Sequence, residues 1–164
     1  MREQQHIARV WDVIEKVRIG MLTTRFDTGL RARPLEARPD RPAGIIWFVI
    51  DARSGKVEEI DNTHEIGLVF IDQASRAYLS ITGRASVRRD AARAKEIWKK
   101  SDDVWWPGGP DDANVRVLRL EPITAELWDG PSTTAAAAFE FAKARLTREE
   151  PDLGENRKLT VPMR

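Results

Sequence analysis

The segment "IDARSGKVEEI", residues 50–60, contains the residue types of an anion-binding turn. Its pattern predicts the end of a strand, a Ser-Gly-Lys turn and the start of a short helix. Free backbone N–H groups at a helix N-terminus, next to a lysine and a hydroxyl, favour a bound anion such as phosphate. Ser54 and Lys56 are therefore candidate anion ligands. The glycine spacing of a nucleotide-binding P-loop is missing, so a solvated turn is the alternative interpretation.

A second candidate is the segment "RARPL", residues 31–35, in which two arginines alternate along a predicted strand. Side chains two residues apart lie on the same face of a strand, so we expect Arg31 and Arg33 to point the same way. A guanidinium group can bind a phosphate through parallel N–H donors. The alternative is that this face of the strand is simply polar and solvated.

The segment "VWWPGGPDDANV", residues 104–115, places two large aromatic side chains on a predicted loop. Because Pro and Gly break helices and strands, we expect Trp105 and Trp106 to lie outside regular elements. Exposed indoles are typical of surfaces that contact a flat ligand or another protein. Burial of both under the C-terminal helix is the alternative. The adjacent Asp111 and Asp112 favour a turn over a metal or acid–base pair.

Several kinds of chemistry are not favoured by the composition. The 164 residues include no cysteine and two histidines, which excludes thiol chemistry and predicts neither a metal site nor a serine triad. A formal net charge of +1 provides no basic field for nucleic acid. No apolar run approaches the roughly 18 residues of a membrane span, and "MREQQHIARVWDVIEK" lacks a signal-like apolar region. We therefore expect a cytoplasmic protein without nucleic-acid or membrane partners.

The elements that position these residues are predicted to form a mainly β fold with helices. Strands are predicted over residues 19–25, 30–38, 45–50, 66–72, 77–87 and 115–129, the last as one long strand or as two bent at Pro122. Helices are predicted at 4–18, 90–100 and 133–146, with a short one before residue 62. Six short strands with interspersed helices favour a small barrel over an alternating βαβ sheet. We expect one domain over 1–150 and an irregular C-terminal tail over 151–164.

The order of the segments resembles the general-stress-protein branch of the pyridoxamine-phosphate-oxidase-like family. The resemblance covers roughly residues 7–161. It is carried by "GMLTT", "LRARPL", "IIWFVIDARSGKVEEI", "IGLVFID", "AYLSITGRASV", "WWPGGPDDANV", "VLRLEPITAELWDG" and "LGENRKL". Members are FMN-binding split barrels, usually homodimers with the flavin in the cleft between subunits. The resemblance therefore implies a six-stranded split β-barrel, a homodimer with an intersubunit flavin site, and FMN as cofactor, with FAD or a deazaflavin as alternatives.

The resemblance also assigns residues to the flavin site through the family's strand, phosphate-turn and tryptophan motifs. The cofactor-binding residues that it implies are Arg33, Pro34, Leu35, Val49, Ile50, Ser54, Lys56, Trp105, Trp106 and Trp128. The last of these begins a Trp-Asp-Gly-Pro motif that ends at residue 131. No residue is assigned a catalytic role.

The sequence departs from the family's pattern at several positions. Ile50 stands where a hydroxyl residue is common, Gly55 where Pro or Arg is common, and Arg38 where a neutral polar residue is commoner. The loss of one hydroxyl donor to a phosphate weakens binding by about 1–3 kcal/mol. The oxidases of the family use a C-terminal Arg-Leu-His-Asp-Arg type motif for substrate, whereas residues 143–164 contain no histidine. The resemblance thus implies a stress-related, flavin-dependent oxidoreductase that is not an authentic pyridoxamine-phosphate oxidase. The alternative is a non-enzymatic flavin-binding or structural split-barrel protein.

Overall fold

The computed structural model describes residues 2–130, 134–150 and 155–160. Its helices are α1 (Arg2–Val17), α2 (Lys56–Asn62), α3 (Ala91–Ile97) and α4 (Thr134–Thr147). Its strands are β1 (Ile19–Phe26), β2 (Gly29–Glu36), β3 (Arg38–Asp40), β4 (Ile45–Asp51), β5 (Glu65–Asp72), β6 (Ala77–Arg88), β7 (Val115–Asp129) and β8 (Glu155–Thr160). Two short 3-10 helices, Lys100–Val104 and Gly109–Asp111, lie between α3 and β7. No helix within these residues is both long and apolar enough to span a bilayer.

The strands form one antiparallel sheet in the order β2-β1-β5-β6-β7-β4-β3, with β8 also paired to β7. The 15-residue strand β7 organises this sheet: β6 pairs along one of its edges, whereas β4 and β8 share the other. The register between β6 and β7 shifts at Thr82 and Gly83, opposite Pro122, which has no N–H to donate. A side chain at Gly83 would lie 2.8 Å from the carbonyl oxygen of Glu121, so glycine is required there. The predicted strand 115–129 is therefore continuous.

The prediction of six strands is wrong, because the described part of the chain contains eight. The predicted strand 30–38 divides at Ala37, whose N–H donates to the Arg18 carbonyl (2.7 Å). The tail that was expected to be irregular contributes β8, which pairs with the C-terminal half of β7. Residues 151–154 and 161–164 lie outside the described residues.

The division at Ala37 also explains the shape of the sheet. β2 and β3 stand at opposite ends of the strand order, yet a single residue separates them in the chain. The sheet must therefore curl until its two ends approach each other. This arrangement is consistent with a split barrel.

The main core lies between the curled sheet and α1. Val10, Val13 and Ile14 recur at helical spacing on α1 and are at most 1% exposed, against the interior side chains of the sheet. Burial of each such side chain contributes about 1.5–3 kcal/mol relative to exposure. The loop that carries Trp105 and Trp106 is called the tryptophan loop below. A smaller core beneath it consists of Val49, Ala94, Trp106, Val115 and Val117. This smaller core fixes the loop against β4.

Helix α3 is shorter than the predicted helix 90–100. Asp90 caps it as the pattern suggests, by accepting a hydrogen bond from the Arg93 N–H (2.9 Å). The helix ends at Ile97, because Trp98 has an extended backbone. The chain then turns through the first 3-10 helix into the tryptophan loop, close to β4.

Candidate functional site

A cleft of about 400 Å³ opens between β2, β4, the start of α2 and the tryptophan loop. Small-molecule sites typically measure about 300–1,000 Å³. The predicted flavin-site residues that line it are Pro34, Leu35, Val49, Ile50, Lys56, Trp105 and Trp106. Its other lining residues are Glu36, Arg38, Asp51, Ser101 and Asp102. The fold thus brings together residues from four separate segments of the sequence.

The apolar wall of the cleft comes from neighbouring parts of β2 and β4. Pro34 and Leu35 contribute from β2, and Val49 contributes from β4, where it belongs to the smaller core. Ile50 is 1% exposed and packs in the main core, on the opposite face of β4. Ile50 therefore borders the cleft mainly through its position on β4, and the apolar side chains of the wall are those of Pro34, Leu35 and Val49, which suit the flat part of a ligand.

Lys56 provides a positive charge at one end of the cleft. Its side chain is half-buried, and within the described part of the chain it makes no hydrogen bond or ion pair. Burial lowers the pKa of Lys56, and the nearby Arg33 guanidinium lowers it further, against the opposing effects of Glu59 and Asp51. A half-buried lysine next to an arginine favours a bound anion, because an anion would relieve both effects.

Arg33 does not line the cleft, because its guanidinium is held by other side chains. Its Nη2 donates to both carboxylate oxygens of Glu59 on α2 (2.7 Å each), and its Nη1 donates to Thr24 Oγ1 (2.8 Å). Burial raises the pKa of Glu59, but hydrogen bonds from Arg33 and Thr24 outweigh it and lower the pKa overall. Arg31 also reaches Glu59, so the prediction that the two arginines point the same way is confirmed.

Ser54 is likewise engaged within the protein. Its hydroxyl donates to the carbonyl oxygen of Asp51 (2.7 Å) and tightens the turn that precedes α2. Asp51 borders the cleft, and hydrogen bonds from Arg53 are the main reason why the pKa of its carboxyl falls to about 2. The predicted phosphate turn therefore presents the lysine more freely than the hydroxyl.

The two tryptophans of the loop have different environments. Trp106 is 7% exposed and packs in the smaller core, with its ring centroid 5.9 Å from that of Trp98. Trp105 is 72% exposed at the rim of the cleft. The alternative that both are buried under the C-terminal helix is wrong, since Trp106 packs beside α3 and Trp105 is open to solvent. Trp105 can therefore contact a ligand or a second protein.

The floor of the cleft is a buried ion pair that sequence reasoning missed. Arg38 Nη2 donates to both oxygens of Asp102 (2.8 and 2.9 Å), and both side chains are 9% exposed. In the sequence, Arg38 stands out only as a departure from the family pattern. A buried charge requires a counter-charge, so the replacement of a neutral residue by Arg38 was the available signal.

Two buried donors near the floor make no hydrogen bond within the described residues: Arg38 Nε and Trp106 Nε1. The Trp106 N–H contributes slightly to the low pKa of Asp51, although it does not reach hydrogen-bond geometry with that carboxylate. A buried donor without an acceptor costs about 1–3 kcal/mol. These donors favour a ligand, or water, that supplies acceptors in the cleft.

Trp128 does not reach the cleft of its own chain. It lies on the C-terminal half of β7, where its register partners are Tyr78 of β6 and Asn156 of β8, and it is 39% exposed. The cleft is lined by β4, which pairs with the other half of β7. The end of the Trp-Asp-Gly-Pro motif, at residue 131, lies outside the described residues.

No group of His, Cys, Asp and Glu with the makings of a metal site occurs among the residues that the structure describes. His6 and His64 lie on α1 and immediately before β5, respectively. Of the charged side chains that line the cleft, Arg38 pairs with Asp102, Asp51 with Arg53 and Glu36 with Lys99.

The fold and the cleft together define a class of protein: a curled antiparallel sheet with a cleft between its strands and a tryptophan loop. The family described as pyridoxamine 5'-phosphate oxidase like matches residues 5–152. The chain belongs to this family.

Individual relatives specify the branch. General stress protein 26 of Bacillus subtilis (strain 168) is 25% identical over 138 residues, which are 82% of this chain and 96% of that protein. A solved structure from Jannaschia sp. CCS1, provisionally named general stress protein 26, superposes with a TM-score of 0.78 at 29% identity, covering 98% of this chain and 99% of that one. The general stress FMN/FAD binding protein of Xanthomonas citri has a TM-score of 0.71 at 23% identity, covering 79% and 92%. The predicted resemblance to the general-stress-protein branch is confirmed.

Proposed function

We propose that the chain binds a flavin in this cleft, with FMN as the first candidate and FAD or a deazaflavin as alternatives. The observation that carries the proposal is the combination of a half-buried lysine without a partner in the described chain, an apolar strand wall and an exposed indole in one cleft. A flavin mononucleotide has a matching combination of parts, a dianionic phosphate and a flat apolar ring system. The Xanthomonas citri relative, named as an FMN/FAD binding protein, supports the same choice.

The residues present fit this group. Lys56 would hold the phosphate, and the wall formed by Leu35 and Val49 would lie along the ring system and exclude water. Trp105 would cover the ring from the rim, while the unpaired Arg38 Nε and Trp106 Nε1 would meet its acceptors. When bound, the flavin supplies hydride or electron transfer, and the chain supplies position and electrostatics.

The site of the proposal is completed by a second copy of the chain. One sheet face exposes a group of apolar side chains that are neighbours in the register: Ile19, Met21, Val69, Ile71, Tyr78 and Trp128. A contiguous exposed apolar face favours a protein interface, and a two-fold dimer would use it on both copies. In such a dimer, the predicted role of Trp128 in the flavin site would require it to approach the cleft of the other copy. Sedimentation should give about twice the 18.6 kDa chain mass, and Ile71→Glu should reduce it to one chain.

Flavin-dependent oxidoreduction is the activity that we propose for the bound form. A second candidate, a non-enzymatic flavin-binding protein, is favoured by the pairing of charges around the cleft. Arg38 is paired with Asp102, and Asp51 with Arg53, so neither carboxylate is positioned as a free acid or base. Under either candidate, the polar residues serve binding and orientation.

We do not expect the protein to oxidise pyridoxamine phosphate. That reaction needs a side chain that orients the substrate amine near the flavin, and residues 143–164 offer no histidine for it. Loss of such near-attack positioning raises the barrier by several kcal/mol. The flavin-loaded protein should therefore release no more peroxide from pyridoxamine phosphate than free flavin does.

Titration of the ligand-free protein with FMN tests the proposal. We expect saturable quenching of tryptophan fluorescence with a Kd below about 100 μM, which corresponds to about 5.5 kcal/mol of binding free energy. The absence of both quenching and calorimetric heat at millimolar FMN would contradict flavin binding. A bound flavin that neither NADH nor NADPH reduces would support the non-enzymatic candidate over the oxidoreductase.

A further inference from the structure

The two cations next to the predicted phosphate turn differ in availability. Lys56 has no partner within the described residues, whereas both oxygens of the Glu59 carboxylate accept from Arg33 Nη2 at 2.7 Å. The Arg33 and Glu59 side chains are 17% and 10% exposed, so this contact is shielded from water. A guanidinium bound in this way cannot offer the same N–H groups to a phosphate.

Glu59 is held at this position by further contacts. Thr24, which is 1% exposed, donates its hydroxyl hydrogen to Glu59 Oε2, and Arg31 Nη1 lies 3.4 Å from Oε1. A Cβ atom placed on Gly55 would lie 3.2 Å from Glu59 Oε1. The Glu59 carboxylate therefore lies against the main chain of the turn that precedes Lys56.

A carboxylate at this position opposes a phosphate in two ways. It occupies the donors of Arg33, and its negative charge repels a second anion near Lys56. We propose that Glu59 is a specificity-determining residue that lowers the preference of the cleft for phosphorylated over unphosphorylated ligands. This inference rests on the proposed flavin site. The ligands that it compares are flavins with and without a 5'-phosphate.

Binding of FMN and riboflavin to matched variants tests the inference. In Glu59→Gln, FMN should bind about tenfold more tightly than to the wild type, a change of about 1.4 kcal/mol. Riboflavin has no phosphate, so its Kd should stay unchanged. Glu58→Gln is the matched control, because it removes the same charge from the exposed neighbour of Glu59 on α2. Both ligands should bind this control as they bind the wild type.

A double variant determines whether the gain passes through Arg33. Arg33→Met with Glu59→Gln removes both charges together, so neither remains buried and unpaired. The gain for FMN should disappear in this protein. If the double variant keeps the full gain, or if Glu58→Gln shows the same gain, the inference is overturned.

Two further outcomes are separated by the same data. If Glu59→Gln does not fold, Thr24→Val carries the test, since it removes one contact that holds Glu59 and should also tighten FMN relative to riboflavin. Equal changes for both ligands in the folded variant overturn the inference and leave flavin binding intact. If neither flavin binds the wild type, the proposed function fails, and the inference fails with it.

Discussion

The cleft adjoins two arginine–carboxylate pairs that are built differently. Both side chains of the Arg38–Asp102 pair are 9% exposed, whereas the Arg33 and Glu59 side chains are 17% and 10% exposed. The two pairs are thus similarly buried and similarly close, with N–O distances of 2.8 and 2.7 Å. Their difference lies in the atoms that surround them.

Main-chain atoms complete the first pair. Arg38 Nη1 donates to the Glu36 carbonyl (2.7 Å), and Asp102 accepts from the Lys99 N–H (2.9 Å). The second pair relies on the side chains of Thr24 and Arg31 instead. A side chain can change rotamer, whereas a main-chain group in a strand or helix cannot. The comparison indicates a fixed floor at one pair and an adjustable anion site at the other.

The largest effect expected from this comparison is on stability. Asp102→Asn removes one charge of the main-chain-anchored pair and should lower the free energy of unfolding by about 3–5 kcal/mol, because Arg38 stays buried and unpaired. Glu59→Gln should cost less, about 1–3 kcal/mol, since its neighbours can rearrange. Urea unfolding measures both values.

Asp103→Asn is the matched control for this prediction, since Asp103 is the exposed neighbour and accepts a single hydrogen bond from Trp98. It should cost about 1 kcal/mol or less. A larger loss in Glu59→Gln than in Asp102→Asn would reverse the assignment of fixed and adjustable pairs.

The tryptophan loop repeats the contrast between fixed and adjustable groups. Trp106→Ala empties a site in the smaller core and should lower the free energy of unfolding by about 3–4 kcal/mol. Trp105→Ala should leave stability within about 0.5 kcal/mol of the wild type, because its ring is exposed. Thermal or urea unfolding distinguishes the two, and only Trp105→Ala remains stable enough for a clean FMN titration. A stability loss in Trp105→Ala equal to that in Trp106→Ala would contradict the distinction.

A substitution at Lys56 tests the adjustable anion site directly. Lys56→Ala should weaken FMN by about 1–3 kcal/mol, the range for a charge-assisted contact, and should leave riboflavin binding unchanged. Lys100→Ala is the control, because it removes the same charge from an exposed position on the first 3-10 helix. Calorimetry with both ligands gives the measurement. Equal losses for FMN and riboflavin would assign Lys56 to folding instead of phosphate binding.

Much of the fold could be predicted because its strands and α1 carry their own periodic signal. β8 carries none: its residues, Glu155–Thr160, are mostly polar, and its pairing depends on the edge of β7 that β4 leaves open. The break at Ala37 has a similar origin, since the sheet must bend there to curl. Both features come from the arrangement of the whole sheet, which a local pattern does not contain.

The candidate site was predictable in composition but not in pairing. The resemblance selected residues such as Leu35, Val49 and Lys56, and the fold collects these in one cleft. The partners Arg38 and Asp102 are 64 positions apart, so the sequence displays two charges without showing that they meet. For the same reason Arg33 was expected to be free. Charge pairing depends on tertiary packing, whereas the alternation of apolar residues is a local pattern in the sequence of each strand.

A third pair at the cleft, Asp51 with Arg53, extends the comparison to an exposed example and carries the smallest expected effect. Their side chains are 25% and 67% exposed. Hydrogen bonds from Arg53 lower the pKa of Asp51 to about 2 from an ordinary value of 3.8. Because the folded-state pKa is depressed, the stabilisation is fully present above the ordinary value and is lost as the pH falls through about 2. Solvent screening limits this contribution to about 1 kcal/mol or less.

Urea unfolding between pH 5 and pH 2 should therefore show that Asp51→Asn loses slightly less unfolding free energy on acidification than the wild type. Asp27→Asn, an exposed substitution in the turn between β1 and β2, should follow the wild-type curve. If Asp51→Asn also followed that curve, this pair would contribute nothing, and the stabilising pairs at the cleft would be the buried ones.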